Sequence, residues 1–215
     1  MRHDAFNLKW EVRNDTDKAI IQEVCAQKVY GETFSAGMKV LDVGAQIGSF
    51  SVFAASKGAS VRAFEPDPKN YATLLENLAL NEFLATVNPY NDALWSKHGE
   101  ITLYDSCSEN LGAHSAVFAR NPNVSIKVPA ATLEEAMEGW ETVDFLKMDC
   151  EGSEFDIMKS EAMHRVKQFS MEVHGFATTE PEYRKFRAML EGYGFELQGG
   201  GWHPVIFYLN GKQRA

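Results

Sequence analysis

Short apolar runs alternate with amphipathic segments along most of this chain, a pattern typical of α/β proteins. Each run ends in polar or glycine residues, which predicts buried strands. They cover Val40–Val43, Val61–Phe64, Thr86–Tyr90, Val143–Met148 and Phe169–Val173. Helices are predicted over residues 16–29, 50–55 and 183–191, and another helix begins at Pro68 behind the N-cap Asp67. Strands and helices that follow one another in this order predict βαβ units.

Two further pairs of segments predict antiparallel additions to this sheet. Phe195–Gln198 and Val205–Leu209 flank a run of glycines and predict a C-terminal hairpin. Ile101–Tyr104 and Ser125–Val128 predict an inserted β-ribbon. The loop that joins the two ribbon strands, Asp105–Asn123, is long and rich in Ser, Asn and Gly. Because long loops in compact domains usually carry function, we expect this loop to recognise the substrate.

The turn after the first buried strand predicts a ligand cleft. Gly44 and Gly48 follow the strand directly, as in α/β proteins that bind nucleotide-like ligands. Gln46 stands where a dinucleotide-binding turn has its middle glycine, and the nearby Asp42 would repel phosphates. A cationic ligand such as S-adenosylmethionine is therefore favoured over NAD. Glu65, at the end of the next strand, is placed to accept hydrogen bonds from both ribose hydroxyls.

Charge and cysteine content narrow the choice of partners. The chain has 215 residues and a net charge of −9, which disfavours nucleic acid and anionic membranes as partners. Its three cysteines are widely spaced and form no CxxC pair, which fits a reduced cytoplasm without structural zinc. With no leader-like start and no apolar stretch long enough to span a bilayer, we expect a soluble, cytoplasmic protein.

The length favours a single domain over residues 1–215. We expect residues 1–37 to form an N-terminal helical lid over the cleft. Residues 38–215 would form the core, with the insertion at about 101–128.

Four motifs, in order, carry a resemblance to a known family. They are Val40–Gly48, Phe64–Pro68, Leu146–Glu154 and Met171–His174. Together they resemble the FkbM family of S-adenosylmethionine-dependent methyltransferases, although the family usually has asparagine where this chain has Gln46. The resemblance implies the class I methyltransferase fold, a Rossmann-like sandwich with a seven-stranded, mainly parallel sheet and an antiparallel C-terminal hairpin.

The resemblance also implies S-adenosyl-L-methionine as cofactor and S-adenosyl-L-homocysteine as product. Asp42, Gly44 and Gly48 would line the methionine end of the cofactor, and Asp92 with Ala93 would flank the adenine. The full set of expected cofactor-binding residues is Asp42, Gly44, Gln46, Gly48, Glu65, Pro66, Asp92, Ala93 and Asp149.

Methyl transfer to a hydroxyl requires a base, and the ends of two neighbouring strands supply candidates. The candidate catalytic residues are His174, Glu172, Asp149, Glu151 and, from the inserted loop, His114. His174 is the natural choice because a histidine ordinarily titrates near neutral pH. The two acids Asp149 and Glu151 would also suit Mg²⁺. Since no third oxygen ligand is evident, we predict no metal site and keep Mg²⁺ as a less favoured alternative.

Three polar residues beside these candidates have structural interpretations. Glu154 is expected to complement the dipole of the following helix. Lys147, inside an apolar strand, is expected to be paired or to extend towards solvent. Cys150 is expected to face the packing of the sheet.

The leading functional hypothesis is O-methylation of a small hydroxylated molecule, such as a sugar or a secondary metabolite. One alternative is N-methylation of a small amine, because acidic strand ends would also bind an ammonium group. A second is a cofactor-binding module without catalysis, and a third, an NAD oxidoreductase, is disfavoured by the missing middle glycine. A homodimer is left open.

Overall fold

The computed structural model of the chain describes residues 1–31, 33–105, 114–116, 121–174, 178–199 and 206–214. In these residues the strands are β1 (Arg2–Ala5), β2 (Leu8–Glu11), β3 (Lys39–Val43), β4 (Ser60–Phe64), β5 (Val87–Tyr90), β6 (Ala93–Leu94), β7 (Gly99–Asp105), β8 (His114–Ser115), β9 (Asn121–Ala131), β10 (Phe145–Met148), β11 (Gln168–His174), β12 (Phe195–Gly199) and β13 (Ile206–Gln213). The α-helices are α1 (Asp15–Gln22), α2 (Ser49–Ser56), α3 (Pro68–Leu80), α4 (Leu133–Ala136), α5 (Glu154–Ile157) and α6 (Glu180–Gly192). A π-helical segment, Glu23–Gln27, continues α1, and Glu161–Arg165 forms a 3₁₀ turn. None of the helices in these ranges is long and apolar enough to span a membrane.

Seven strands form the central sheet in the order β12-β13-β11-β10-β3-β4-β5. The five strands from β11 to β5 run parallel, whereas β13 and β12 pair antiparallel at one edge. The predicted seven-stranded, mainly parallel sheet with a C-terminal hairpin is therefore confirmed. Because β3 is followed in the chain by β4 on one side and lies against β10 on the other, the strand order reverses between β3 and β10. In open α/β sheets, ligands bind at the carboxyl ends of the strands at such a reversal.

The inserted ribbon belongs to a separate four-stranded sheet with the order β6-β9-β7-β8. Within it, Ile101 pairs with Val128 and Tyr104 with Ser125, so the predicted ribbon is present. Residues 106–113 and 117–120 of its connecting loop lie outside the described residues, so substrate recognition by that loop stays a prediction.

The N-terminal segment differs from a purely helical lid. A hairpin of β1 and β2 precedes the helix, because Phe6 and Asn7 both adopt positive φ angles and turn the chain tightly. The side chain of Asn14 then caps α1 by accepting a hydrogen bond from the backbone N–H of Asp17 at 2.9 Å. The helical stretch ends at Gln27, where Lys28 enters the left-handed region at φ 56°.

Two elements beside the sheet hold the cleft in place. Helix α2 starts directly after the glycine turn, and its residues Ser49–Ala55 are all buried. Helix α3 begins as predicted, since a carboxylate oxygen of Asp67 accepts hydrogen bonds from the backbone N–H groups of Lys69 and Asn70 at 2.9 and 2.8 Å. This cap fixes the short turn that carries Glu65.

Candidate active site

A cavity of about 330 Å³ opens at the carboxyl ends of β3, β4, β10 and β11. Its walls also come from the N-terminal segment and from the inserted sheet. The described residues that line it are Thr16, Ala19, Ile20, Glu23, Val24, Tyr30, Val43, Gly44, Ala45, Gln46, Ser49, Phe50, Phe64, Glu65, Pro66, Ala93, Leu94, Ile101, Leu103, Lys147, Asp149, Cys150, Glu151, Ser153 and Glu172. Most of the predicted cofactor and catalytic residues are in this set. Asp42, Gly48, Asp92 and His174 are not.

The glycine turn must contain glycine at two positions for different reasons. Gly44 has a φ of 75°, and a Cβ there would lie 1.7 Å from the carbonyl oxygen of Asp149. Its glycine therefore allows the end of β10 to approach the turn. Gly48 has a φ of 87°, and a Cβ there would lie 2.4 Å from Cδ1 of Leu74 on α3. Gly48 thus supports helix packing, and its expected place at the cofactor stays a prediction.

Glu65 is buried against the turn and bonded to it. Its carboxylate accepts hydrogen bonds from the backbone N–H of Gln46 at 2.7 Å, the backbone N–H of Asp67 at 2.9 Å and the side-chain amide of Asn70 at 3.3 Å. Burial nevertheless raises the pKa of Glu65 to about 7, because the low-dielectric surroundings disfavour its charged form. A carboxylate offers about four acceptor positions. Room therefore remains for a hydroxyl donor from a ligand.

Two polar atoms beside Glu65 lack partners in the described part of the chain. The side-chain oxygen of Gln46 and the hydroxyl of Ser49 are buried without a hydrogen bond, and both residues line the cavity. An unsatisfied buried polar group costs about 1–3 kcal/mol. A polar ligand in the cavity would satisfy both.

Asp42 lies behind the wall of the cavity and not on it. Its side chain is 0 % exposed; one carboxylate oxygen accepts the hydroxyl of Ser51 at 2.6 Å, and the other lies 3.2 Å from Nζ of Lys147. Lys147 also donates to the carbonyl oxygen of Gly44 at 2.6 Å. The charge of Asp42 thus holds Lys147 against the glycine turn, and its expected contact with the cofactor stays a prediction. Lys147 is therefore paired with Asp42, which is one of the two alternatives expected from the sequence.

At the expected adenine position, Asn91 has a structural role beside Asp92. The amide of Asn91 donates to the carbonyl oxygens of Glu65 and Pro66 at 2.8 and 3.1 Å. Ala93 lines the cavity, whereas Asp92 is half-buried and does not. The amide thus fixes the loop that carries Glu65 and Pro66.

Two carboxylates lie together at the other end of the cavity. The hydroxyl of Tyr30 donates to Asp149 at 3.0 Å and lies 3.5 Å from a carboxylate oxygen of Glu172. Tyr208 is the register partner of Glu172 across β13 and β11, and the interaction with its phenol lowers the pKa of Glu172. Burial raises the pKa of Glu172 to about 7, and the negative charge of Asp149 adds to this shift. One acid of the pair therefore titrates near neutral pH.

His174 is buried beneath this pair, with 1 % of its surface exposed. Its Nδ1 lies 3.0 Å from Glu154, and its Nε2 lies 3.4 Å from Glu151 and 3.6 Å from Glu172. Burial alone would lower the pKa of His174, but the hydrogen bond and charge of Glu154, together with the other carboxylates, raise it to about 10. His174 is therefore a cation at neutral pH. Glu154 binds this cation in addition to accepting the backbone N–H of Cys150 at 3.1 Å, so its expected role as a helix-dipole acid is incomplete.

The tip after β10 does not continue the alternation of a strand. Glu151 has a φ of 53°, and its carbonyl oxygen accepts the hydroxyl of Ser115 from the inserted sheet at 2.6 Å. Burial raises the pKa of Glu151 to about 7. Cys150 packs against the hydrophobic core, as expected, and it also lines the cavity. His114 has its backbone in β8, opposite Asp105, and its side chain lies outside the described residues. Its catalytic role stays a prediction.

Asp149, Glu172 and His174 each place one ligand atom within 4.8 Å of the others. The two nitrogens of His174 already face carboxylates, and Mg²⁺ prefers an octahedron of oxygen ligands. We therefore assign no metal site to this group.

Several cavity residues were missed by the sequence reasoning. They include Tyr30 and Glu23 of the N-terminal segment and Ile101 and Leu103 of β7. Tyr208 of β13, the register partner of Glu172, was also missed, although it is not among the described lining residues. The alternation of Ile101 and Leu103 on one face of a predicted strand was an available signal. For Tyr30 and Tyr208 no local pattern marks the contact, because the contact forms between distant parts of the chain.

The sheet order, the glycine turn and the cavity at the strand reversal are those of the class I methyltransferase fold. A solved methyltransferase FkbM from Methylobacillus flagellatus KT has the same fold, with a TM-score of 0.56 and 15 % identity over 84 % of this chain and 44 % of that one. The family model for the methyltransferase FkbM domain matches residues 42–197. The chain therefore belongs to the FkbM methyltransferase family, whose members use S-adenosylmethionine.

Two proteins similar in sequence to this chain are methyltransferases. The methyltransferase sdnD of Sordaria araneosa is 26 % identical over 236 residues, which cover 88 % of this chain and 90 % of that protein. The hexuronic acid methyltransferase AglP of Haloferax volcanii is 29 % identical over 137 residues, which cover 62 % of this chain and 54 % of that protein.

Proposed function

We propose that this methyltransferase transfers a methyl group to a hydroxyl of a small molecule, with Glu172 as the base. The observation that carries this proposal is the carboxylate pair of Asp149 and Glu172 in the cavity, one member of which titrates near neutral pH. A general base works best when its pKa lies near the operating pH. The hexuronic acid methyltransferase named above supports a small-molecule acceptor, and the net charge of −9 disfavours a nucleic acid.

The residues present fit S-adenosylmethionine. Glu65 would accept a ribose hydroxyl, and the unpartnered atoms of Gln46 and Ser49 would bond to polar groups of the cofactor. Five of the described lining residues are acids, and the one cation among them, Lys147, is already paired with Asp42. This negative field favours a cationic cofactor. When bound, the cofactor supplies a methyl group already activated by its positive sulfur.

Glu172 would take the acceptor's proton, and His174 would not. A histidine with a pKa of about 10 already carries its proton at neutral pH and cannot accept another. Its charge instead lies beneath Glu172 and Glu151, where it offsets the repulsion among the acids. The negative field of the cavity also disfavours an acceptor that carries its own carboxylate or phosphate. We therefore expect the methylated part of the acceptor to be uncharged.

Calorimetric titration with S-adenosylhomocysteine tests the cofactor half of this proposal, with NAD as the parallel ligand. We expect binding of the first alone. Absence of that binding in a folded protein would overturn the proposed function.

Transfer of labelled methyl groups from S-adenosylmethionine to a panel of alcohols, glycosides and amines tests the acceptor half. Glu172→Gln should retain cofactor binding and lose most turnover with a hydroxyl acceptor. Glu196→Gln, the same change at an exposed position of β12, is the matched control. Preferential turnover of amines, or full turnover by Glu172→Gln, would show that a hydroxyl base at Glu172 is wrong.

A further inference from the structure

Each carboxylate of the pair formed by Asp149 and Glu172 lies beside one tyrosine. Tyr30 donates its hydroxyl to Asp149 at 3.0 Å, and the phenol of Tyr208 interacts with Glu172 closely enough for that carboxylate to raise its pKa. Tyr208 is also the register partner of Glu172 between β13 and β11, so the backbone brings these two side chains together. Both tyrosines lie outside residues 42–197, the part of the chain matched by the family model. The N-terminal and C-terminal parts of the chain thus each add one donor to the site.

The two tyrosines are held in place by aromatic packing. Their rings meet edge to face, with centroids 5.8 Å apart. The ring of Tyr30 also packs against Phe50 at 5.9 Å, and Nζ of Lys147 lies 5.2 Å from its centroid. Tyr30 is buried, and the ring contacts come from α2, β10 and β13. The hydroxyls therefore have little freedom to leave the carboxylates.

A phenol in this position acts as a donor and not as a base. Burial and the negative charges of Asp149 and Glu172 raise the pKa of Tyr30 well above its ordinary value. The same influences raise the pKa of Tyr208. Both hydroxyls therefore keep their protons throughout the neutral range. A proton donor to a carboxylate favours the charged form and fixes its orientation, which two neighbouring like charges would otherwise disturb.

We propose that Tyr30 and Tyr208 are a pair of positioning residues, which orient Asp149 and Glu172 in the cavity and keep Glu172 available as a proton acceptor. This inference rests on the proposed function, because it assigns the pair a purpose in proton removal. The inference adds two residues to the proposed active site, and both lie outside the part of the chain that the family model matches.

The test removes one hydroxyl at a time and keeps each ring. The variants are Tyr30→Phe and Tyr208→Phe, and the control is Tyr71→Phe, which removes a hydroxyl bonded to the carbonyl oxygen of Pro89 at 3.3 Å. The titration of the Glu172 carboxyl is followed by ¹³C NMR and assigned with Glu172→Gln. Other groups that act on Glu172 are Asp149, Glu151 and His174, and Glu23 lies near Tyr208; none of them is changed.

Because each variant removes a group that favours the charged carboxylate, the pH at the midpoint of the Glu172 titration should rise. We expect a rise of about one pH unit in Tyr208→Phe, a smaller rise in Tyr30→Phe and no change in Tyr71→Phe. A midpoint that is unchanged in both folded variants would overturn the inference. S-adenosylhomocysteine affinity is measured on the same samples and should change less than threefold, since Glu65 lies at the other end of the cavity. If the unchanged chain fails to bind this ligand, the proposed function is wrong, while the titration still tests the tyrosine contacts.

A reciprocal measurement covers the case in which a phenylalanine variant fails to fold. Glu172→Gln removes the charge that acts on Tyr208, so the ultraviolet titration of that phenol should move to lower pH. An unmoved phenol titration would contradict the contact between Tyr208 and Glu172.

Discussion

Binding of S-adenosylhomocysteine should release a proton from Glu65. Burial raises the pKa of this acid to about 7, although three N–H groups already donate to its carboxylate. The free protein at pH 7 therefore holds Glu65 about half protonated. A ribose hydroxyl of the ligand would add a donor to the carboxylate, and donors stabilise its charged form.

The number of protons released on binding follows from the pKa of Glu65 in the free and in the bound protein. If the bound ligand lowers the pKa of Glu65 by two units or more, about half a proton is released for each ligand bound at pH 7. The affinity for S-adenosylhomocysteine should therefore rise with pH, because the deprotonated form of Glu65 binds the ligand more tightly. Well below pH 7, affinity should fall by nearly tenfold for each pH unit until the pKa of the bound form is reached.

Calorimetry at pH 7 in two buffers with different ionisation enthalpies counts the released protons. Glu151 and Glu172 titrate near the same pH, so the informative quantity is the difference between variants. Glu65→Gln keeps an oxygen acceptor and the side-chain shape but cannot titrate, and its proton release should be smaller by about half a proton. Glu196→Gln should release as many protons as the unchanged chain. Equal release by Glu65→Gln and the unchanged chain, with binding retained in both, would refute the placement of the ribose at Glu65.

Three further outcomes are expected. Gly44→Ala should lower the free energy of unfolding in urea by about 3 kcal/mol or more, because its Cβ would overlap a backbone carbonyl oxygen. Gly37→Ala has a similar φ of 85° but no atom within 4 Å, so it should cost only about 1–2 kcal/mol; equal losses would contradict the close approach at the turn. The raised pKa of His174 stabilises the fold below pH 6.5, and this contribution is lost as the pH rises through about 10. The Tm should therefore fall less between pH 7 and 10 in Glu154→Gln than in the unchanged chain, and an equal fall would contradict the ion pair. In the labelled-methyl assay, a neutral glycoside should be methylated at least about tenfold faster than the matching carboxylated glycoside, and the reverse order would argue against the negative field.

Most of the central sheet could be predicted because hydrophobic periodicity is a local property of the sequence. Strand β10 is an example, because a short apolar run that ends in an acid and a glycine is typical of a buried strand followed by a turn. The ribbon register from Ile101 to Tyr104 also followed from alternation, since a shift by one residue would expose its apolar face. The N-terminal hairpin could not be found in this way. Its first strand, Arg2–Ala5, is mostly polar, and its turn depends on two residues with positive φ that are not glycine.

The site was predicted less completely, because contacts between distant residues decide which side chains reach the cavity. Asp42 and Glu65 both follow the pattern of an acid in or after a buried strand. Yet Lys147 holds Asp42 behind the wall, whereas Glu65 lies on it. Both positions result from neighbours on other strands, and no local spacing distinguishes them.

The same dependence on distant contacts reverses the ordinary order of proton affinities among the candidate bases. A free histidine titrates above a free glutamic acid by about two units, so sequence alone favours His174 as the base. In the folded chain, Glu154 holds the imidazole as a cation with a pKa of about 10, while burial raises Glu172 to about 7. The residue near neutrality is then the acid, and the histidine becomes the fixed charge beneath it. Glu154→Gln separates these roles, because weakening the cation should raise the titration midpoint of Glu172 without removing any group that lines the cavity. A midpoint that stays the same or falls in this variant would return His174 to consideration as the base.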